Sequence, residues 1–297
     1  MQKFIEKAAV LIEALPYIRQ FFGKTVVIKY GGAAMLDPAL RACTAQDIVL
    51  MRYVGMNPIV VHGGGPAINA MLKKLSIASK FTAQGLRITD GATMEVVEMM
   101  LAGSVNKDIV NLLNNAGGEA VGLCGKDGRF LCARKVASED GEDIGQVGEI
   151  TSVNPKVLHV LCQSGIIPVI APIATDADGG SWNVNADTAA GDIASSVKAE
   201  KLVFLTDTPG LLRDVNDTES LIHRVHSHDI ERLKKQGIIA GGMVPKIDAC
   251  LKALAAGVGR THIIDGRVPH SMLLEVFTDK GLGTLVSQDV PEGVEGV

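Results

Sequence analysis

The chain reads as an α/β protein built on an open, mainly parallel sheet with helices on both faces. Two observations predict this. Short apolar runs of strand length, bounded by Gly, Pro or Asp, lack the alternation of half-exposed strands and so belong to strands buried on both faces. Longer stretches with helical spacing of apolar residues separate them, and strands alternating with helices form parallel sheets through right-handed crossovers. At 297 residues the chain can form one large unit or two lobes around a sizeable core.

Residues 1–22 stand apart. Phe4, Ala8, Leu11, Leu15, Ile18 and Phe22 recur at spacings of four and three, which draws one apolar stripe on a helix that Pro16 is expected to kink. Such a stripe must bury itself, either on its own body or on another subunit. The strand-like runs are then 25–30, 58–62, 120–123, 166–170 and 201–205, and the helical stretches 38–54, 66–75, 93–115, 155–162, 186–197 and 244–256. A second strand-rich patch, 130–133 and 145–150 around the turn signal 138–143, predicts a hairpin laid across the domain as a lid or an insertion.

Composition excludes several classes. A net charge of −4 with no basic run argues against a nucleic-acid surface and for a small-molecule ligand. Cys43, Cys124, Cys132, Cys162 and Cys250 are scattered, without a C-x-x-C pair or a nearby histidine, so neither a disulfide framework nor a zinc site is indicated. No apolar stretch reaches membrane-spanning length and the N-terminus lacks a signal-peptide pattern. The expected location is the cytoplasm, or the plastid stroma if a transit segment has been removed.

Two glycine turns carry most of the chemical information. Lys29-Tyr-Gly31-Gly32 and His62-Gly-Gly64-Gly65-Pro66 each close an apolar run. Glycine admits positive φ and close ligand approach, so paired glycines after a buried strand offer N–H groups to a phosphate or carboxylate. The alternative is tight turns without a ligand. Lys29 sits inside an otherwise apolar strand, where an ammonium is costly unless it meets negative charge.

Asn183-Val-Asn-Ala-Asp187 opens the helix at 186–197. Capping alone, worth about 1 kcal/mol, needs one of these residues. Two amides and a carboxylate exceed it: the aspartate could fix a lysine ammonium, and the asparagine could bond a substrate amide or carboxylate. Phe204–Gly210 ends a strand in a polar turn at the carboxyl edge of the sheet, where open α/β folds bind ligands. A glycine hinge from Gly237 leads to a helix with Lys246 in its first turn. A cation there opposes the helix dipole, so an anion in front of it is expected.

In this order, with Gly85-Leu-Arg87-Ile-Thr89, Leu205-Thr-Asp207 and Gly241-Gly-Met-Val-Pro-Lys246, the motifs resemble the N-acetylglutamate kinases of the amino acid kinase fold, from about residue 24 to the C-terminus. The resemblance implies an N-terminal helix (1–22), an acylglutamate-binding and dimerisation lobe (23–198) and an ATP-binding lobe with an arginine site (199–297). It implies phosphorylation of the side-chain carboxylate of N-acetyl-L-glutamate by ATP, in arginine biosynthesis. Lys29 and Lys246 would flank the transferring phosphoryl group, with Asp187 holding both lysines. The nucleophile is already ionised at neutral pH, so no general base is needed. Gly31 and Gly32 would serve the phosphates, Gly32 and Gly64 through backbone N–H groups. Gly64, Gly65, Arg87 and Asn183 would bind the acylglutamate, and Asp207, Thr208, Gly210, Leu212, Ile238, Ile239 and Ala240 the nucleotide. Mg²⁺ would ride on the ATP phosphates, so no protein ligand is named.

The N-terminal helix with Tyr17, and His262, Glu275 and Gly281, resemble the arginine-inhibited branch. In that branch the helix interlaces dimers into a ring-shaped hexamer, a trimer of dimers. Glu275 suits a guanidinium, or it is a solvated helix acid. Some plant and cyanobacterial relatives bind a PII-type signalling protein, a partner that remains open for this chain. Asp192 and Lys198 depart from the family, which has small or apolar residues there, and put local stability in doubt. Alternatives are another amino acid kinase or a non-catalytic arginine or nucleotide sensor. A P-loop and a G-x-G-x-x-G fingerprint are both absent.

Overall fold

The computed structural model describes residues 1–82, 85–136, 143–278 and 281–288. The chain runs α1 (Gln2–Phe21), β1 (Thr25–Tyr30), α2 (Pro38–Tyr53), β2 (Asn57–His62), α3 (Gly65–Lys74), α4 (Gly91–Glu98), a π-helical segment (Met99–Val105) and α5 (Asn106–Asn115). It continues through β3 (Ala120–Cys124), β4 (Leu131–Lys135), β5 (Gly148–Val153), α6 (Lys156–Gln163), β6 (Ile167–Ala171), β7 (Ile173–Thr175) and β8 (Ser181–Asn183). The last part holds α7 (Ala186–Ser196), β9 (Lys201–Thr206), β10 (Arg224–His226), α8 (Ile230–Lys235), α9 (Val244–Ala255), β11 (Arg260–Asp265), α10 (Ser271–Val276) and β12 (Thr284–Ser287).

One eight-stranded sheet has the order β10-β12-β11-β9-β1-β2-β6-β3. From β11 to β3 its strands are parallel, and β12 joins β11 antiparallel. Side chains alternate across β1 as a pleat requires. Val27 enters a core with Phe204, Ile193 and Ile247 beneath α7 and α9, while Val26 and Ile28 enter the opposite core with Ile48, Met51 and Ile109 beneath α2 and α5. Tyr30 pairs with His62 and Lys29 with Phe204, which brings the glycine turns after β1 and β2 and the polar turn after β9 to one edge.

The predicted fold class, its five long strands and the β4–β5 pair are present; most of the predicted turn at 138–143 lies outside the described residues. That pair belongs to a second sheet, β5-β4-β7-β8, whose last strand ends at Asn183. Five strands went unread. β7, β8, β10 and β12 have only three or four residues, too few to carry a period, and β11 begins Arg-Thr-His. The predicted helix 93–115 is interrupted by the π segment.

The predicted N-terminal helix is present as α1, with Pro16 inside it and an exposed Ile12 four residues earlier whose carbonyl can turn to water when the proline N–H is missing. Its stripe does not pack on its own body: Phe4 is 70% and Leu11 73% exposed, and only the last turns dock, with Phe21 buried and Tyr17 half-buried against the core. The doubtful charges on α7 are also accommodated. Asp192 lies on the buried face and meets Lys252 Nζ at 2.5 Å, whereas Lys198 is exposed just past the helix, at a left-handed φ of 49°.

Candidate active site

Lys29 comes from β1, Asp187 from the first turn of α7 and Lys246 from the first turn of α9. Asn185 caps α7 by accepting the Asp187 and Thr188 N–H groups at 2.8 and 3.2 Å, which fixes the backbone from which Asp187 projects. Lys29 Nζ lies 3.1 Å from Asp187 Oδ1 and Lys246 Nζ 2.9 Å from Oδ2. Lys246 also donates to the Gly242 carbonyl at 3.2 Å. Asp187 is 5% exposed. Burial pushes its carboxyl up, but the two ammonium groups outweigh burial and hold it below the usual range. Two cations facing one carboxylate leave a net positive charge, which favours an incoming anion.

The first glycine turn is shaped around these charges. A Cβ on Gly31 would stand 2.6 Å from Lys29 Nζ, so any side chain there would displace the ammonium from its present position over the turn. Gly32 adopts φ +65°, and a Cβ would run into the Asp207 carboxylate, which accepts the Ala33 N–H. Asp207 therefore ties the turn after β1 to the turn after β9.

Two cavities lie beside this centre, the larger lined by both lysines and the smaller by Asn185 and Ala186 just before Asp187. The smaller, about 190 Å³, is lined by Gly64, Gly65, Arg87 and Asn183 together with Leu101 and Val184. Arg87 is 8% exposed and is no surface arginine. Its guanidinium donates to Ser79 Oγ at 2.5 Å and Asn69 Oδ1 at 2.7 Å and lies 4.6 Å over the Phe81 ring. Among the described residues it meets no carboxylate, so its charge is available to a ligand. Asn183 Nδ2 donates to Thr89 Oγ1 at 3.1 Å. Asn69, Ser79 and Phe81 were not legible as site residues, since none stands in a motif, and Thr89, the last residue of the Gly85–Thr89 motif, was given no role of its own.

The larger cavity, about 630 Å³, contains Lys29, Gly32 and Lys246 at one end. Asp207, Thr208, Gly210 and Leu212 form one wall, and Ile238 and Ala240 another. Val215 and Met243 add apolar surface suited to a planar base. Gly31 is beneath Lys29 rather than on the wall, and the Ile239 side chain is buried in the core, so any contact with a nucleotide there falls to its backbone.

The residues singled out for arginine meet away from both cavities. Glu275 is 4% exposed, not a solvated acid. Its Oε1 lies 2.5 Å from His262 Nδ1, and its Oε2 accepts the Leu282 N–H at 3.0 Å. Gly281, at φ +56°, leaves room beside that carboxylate that a Cβ would fill at 3.2 Å. Lys201, missed in the sequence because it opens an apolar strand, donates to the Glu275 carbonyl at 3.4 Å and stands 4.9 Å from the Phe21 ring of α1. Tyr17 packs in the same core as Leu273 and Phe277 of the α10 region.

Two lysines on one buried carboxylate, beside one cavity lined by Arg87 and Asn183 and a larger one lined by both lysines, fit a phosphotransferase of the α/β class. The model of the amino acid kinase family matches residues 24–265. The chain belongs to the amino acid kinase family. It is 56% identical over 294 residues to the acetylglutamate kinase of Heliobacterium modesticaldum, covering 96% of this chain and 99% of that one. It is 57% identical over 285 residues to the acetylglutamate kinase of Thermoanaerobacter pseudethanolicus, covering 96% and 94%. Among solved structures it resembles the N-acetylglutamate synthase of Neisseria gonorrhoeae complexed with coenzyme A and N-acetyl-glutamate, with a TM-score of 0.84 and 27% identity. That likeness covers 95% of this chain and 64% of the synthase.

Proposed function

We infer that this chain is an acetylglutamate kinase, transferring the γ-phosphoryl group of ATP to the side-chain carboxylate of N-acetyl-L-glutamate. The observation that carries the reading is the convergence of Lys29 and Lys246 on buried Asp187 between the two cavities. The acylglutamate occupies the smaller cavity, with Arg87 clamping a carboxylate and Asn183 taking a second polar group. ATP occupies the larger one, its γ-phosphate against the lysines. A carboxylate oxygen attacks the γ-phosphorus, the bond to the bridging oxygen breaks, and ADP leaves with the electron pair. No proton moves, so no base is required. The lysines and the Gly32 and Gly64 N–H groups neutralise the equatorial oxygens. Mg²⁺ supplies further charge neutralisation on the ATP phosphates, and no residue of this chain is assigned to it.

Arginine inhibition and assembly belong to the same proposal. Buried Glu275 beside Gly281, near the docked end of α1, supports a guanidinium site, and the exposed stripe on α1 supports exchange between dimers in a hexamer. The lobe division at residue 198 is supported by Arg87 and Asn183 lining one cavity and Asp207 to Lys246 the other. A cytoplasmic location accords with the observation that no helix among the described residues is long and apolar enough to cross a membrane. A coupled ADP-release assay tests the central reading: turnover must depend on acetylglutamate. Turnover with glutamate, aspartate or carbamate instead would assign another kinase of the family, and none at all would favour a sensor.

A further inference from the structure

The residue before the second glycine turn has a geometry that phosphoryl transfer does not call on directly. His62 ends β2 with its side chain 0% exposed, and Asn106, the first residue of α5, is equally buried. His62 Nδ1 lies 2.7 Å from the Gly63 carbonyl, and Asn106 Nδ2 lies 3.1 Å from His62 Nε2 and 2.9 Å from the Val169 carbonyl. Carbonyls only accept. The Asn106 nitrogen must therefore face Val169, and its second hydrogen faces Nε2, which accepts; the histidine proton is then on Nδ1, aimed at Gly63 O. Lys107 Nζ closes the chain by donating to Asn106 Oδ1 at 3.1 Å. Gly122 makes room for the amide, since a Cβ there would run into it. Burial, assisted by the Lys107 charge, pushes His62 down to about 4, which keeps this neutral arrangement at physiological pH.

The consequence falls on the next peptide. In a trans peptide the C=O of Gly63 and the N–H of Gly64 point in opposite directions. The Gly63 N–H is itself held by the Tyr30 carbonyl at 2.9 Å. With its carbonyl held by the imidazole, the Gly63–Gly64 peptide cannot rotate, and the Gly64 N–H, which has no partner among the described residues, faces away from His62. Leu101 and Val105 of the π segment lie where a Cβ on Gly64 would point, so the position is closed to a side chain.

We propose that His62 is a positioning residue: oriented by Asn106, its Nδ1–H pins the Gly63 carbonyl and so aims the Gly64 N–H at the oxygens of the transferring phosphoryl group. The inference rests on the assignment of Gly64 in the proposed function. Its test compares His62→Leu, which removes the donor, with His62→Asn, whose amide can donate from the Nδ1 position. His62→Leu should lower kcat by about 10²-fold with KM for ATP nearly unchanged, and His62→Asn should recover about tenfold of that loss. Nitrogen NMR of labelled histidine should show His62 as the neutral Nδ1–H tautomer. A folded His62→Leu enzyme with kcat within about threefold of the parent overturns the proposal, as does a His62→Asn enzyme no better than His62→Leu. If His62→Leu fails to fold, the His62→Asn kinetics and the tautomer decide, and an Nε2–H tautomer overturns it. If the parent enzyme shows no acetylglutamate-dependent turnover, the kinase reading fails and the inference falls with it, whereas an active parent beside an unimpaired His62→Leu enzyme overturns the inference alone.

Discussion

Replacing Lys246 with Ala removes one of two ammonium groups from a nearly closed carboxylate centre. Two effects must be separated. On stability, breaking a buried ion pair costs about 3–5 kcal/mol when the remaining charge is stranded. Asp187 is not stranded here, because Lys29 stays at 3.1 Å. The cost should therefore fall below about 3 kcal/mol, and the variant should fold. On catalysis, one donor to the equatorial oxygens disappears, and losses of that kind run to about 10²–10³ in kcat, or about 2.7–4 kcal/mol. Coupled ADP release at saturating ATP and acetylglutamate reads kcat directly, and calorimetric melting of the same preparation reads stability. Lys29→Ala should behave alike. The double variant should lose much less than the product of the two single losses, because both lysines act through one carboxylate and one phosphoryl group. A folded Lys246→Ala enzyme with unchanged kcat would refute the reasoning, since the lysine would then serve only to neutralise Asp187.

Three further outcomes are expected. Arg87→Lys should raise KM for acetylglutamate and leave KM for ATP nearly flat, because an ammonium lacks the planar fork that can hold Ser79 and Asn69 while clamping a ligand carboxylate; equal shifts for both substrates would remove Arg87 from the acylglutamate site. Asp192→Ala should raise the melting temperature at neutral pH, because burial raises the Asp192 carboxyl despite Lys252 and the exposed lysine is left with nothing buried to neutralise. A folded-state pKa above the unfolded value means the ionised side chain costs stability at high pH, so the gain should shrink as pH falls and vanish below about pH 4; a lower melting temperature at pH 7 would show that the ion pair stabilises. Deleting residues 1–15, which spares buried Phe21, should convert hexamers to dimers by light scattering and weaken arginine inhibition while uninhibited kcat is kept; an unchanged mass would remove α1 from assembly.

The legible part of the fold was the part with enough length to carry a pattern. β1, β2 and β9 are six-residue strands buried almost throughout, and their apolar runs announce them without reference to anything distant. β8 is the opposite case. Its three half-buried residues acquire strand geometry by pairing with β7 and, at Asn183, bridging Val147, so no local signal exists to be read. Pro16 shows the converse limit, since its helix-breaking tendency was legible but its tolerance on an exposed helix depends on surroundings that spacing does not reveal.

The candidate site divides along the same line. Lys29 and Lys246 were conspicuous because each violates a local rule: a charge in an apolar strand, and a cation at the positive end of a helix. Their reason is distant in sequence, since Lys246 meets Asp187 across 59 residues. Residues that obey local rules stay silent. Asn69 is an ordinary exposed helix residue and Ser79 an ordinary loop residue, yet together they orient Arg87 across 18 and 8 positions of chain. The groups that meet ligand carry charges or bare backbone that nothing nearby explains, whereas those that aim them are neutral donors and acceptors at home in any loop or helix. A sequence therefore exposes the reacting centre before its supports, and the supports become visible only when the fold supplies their distances.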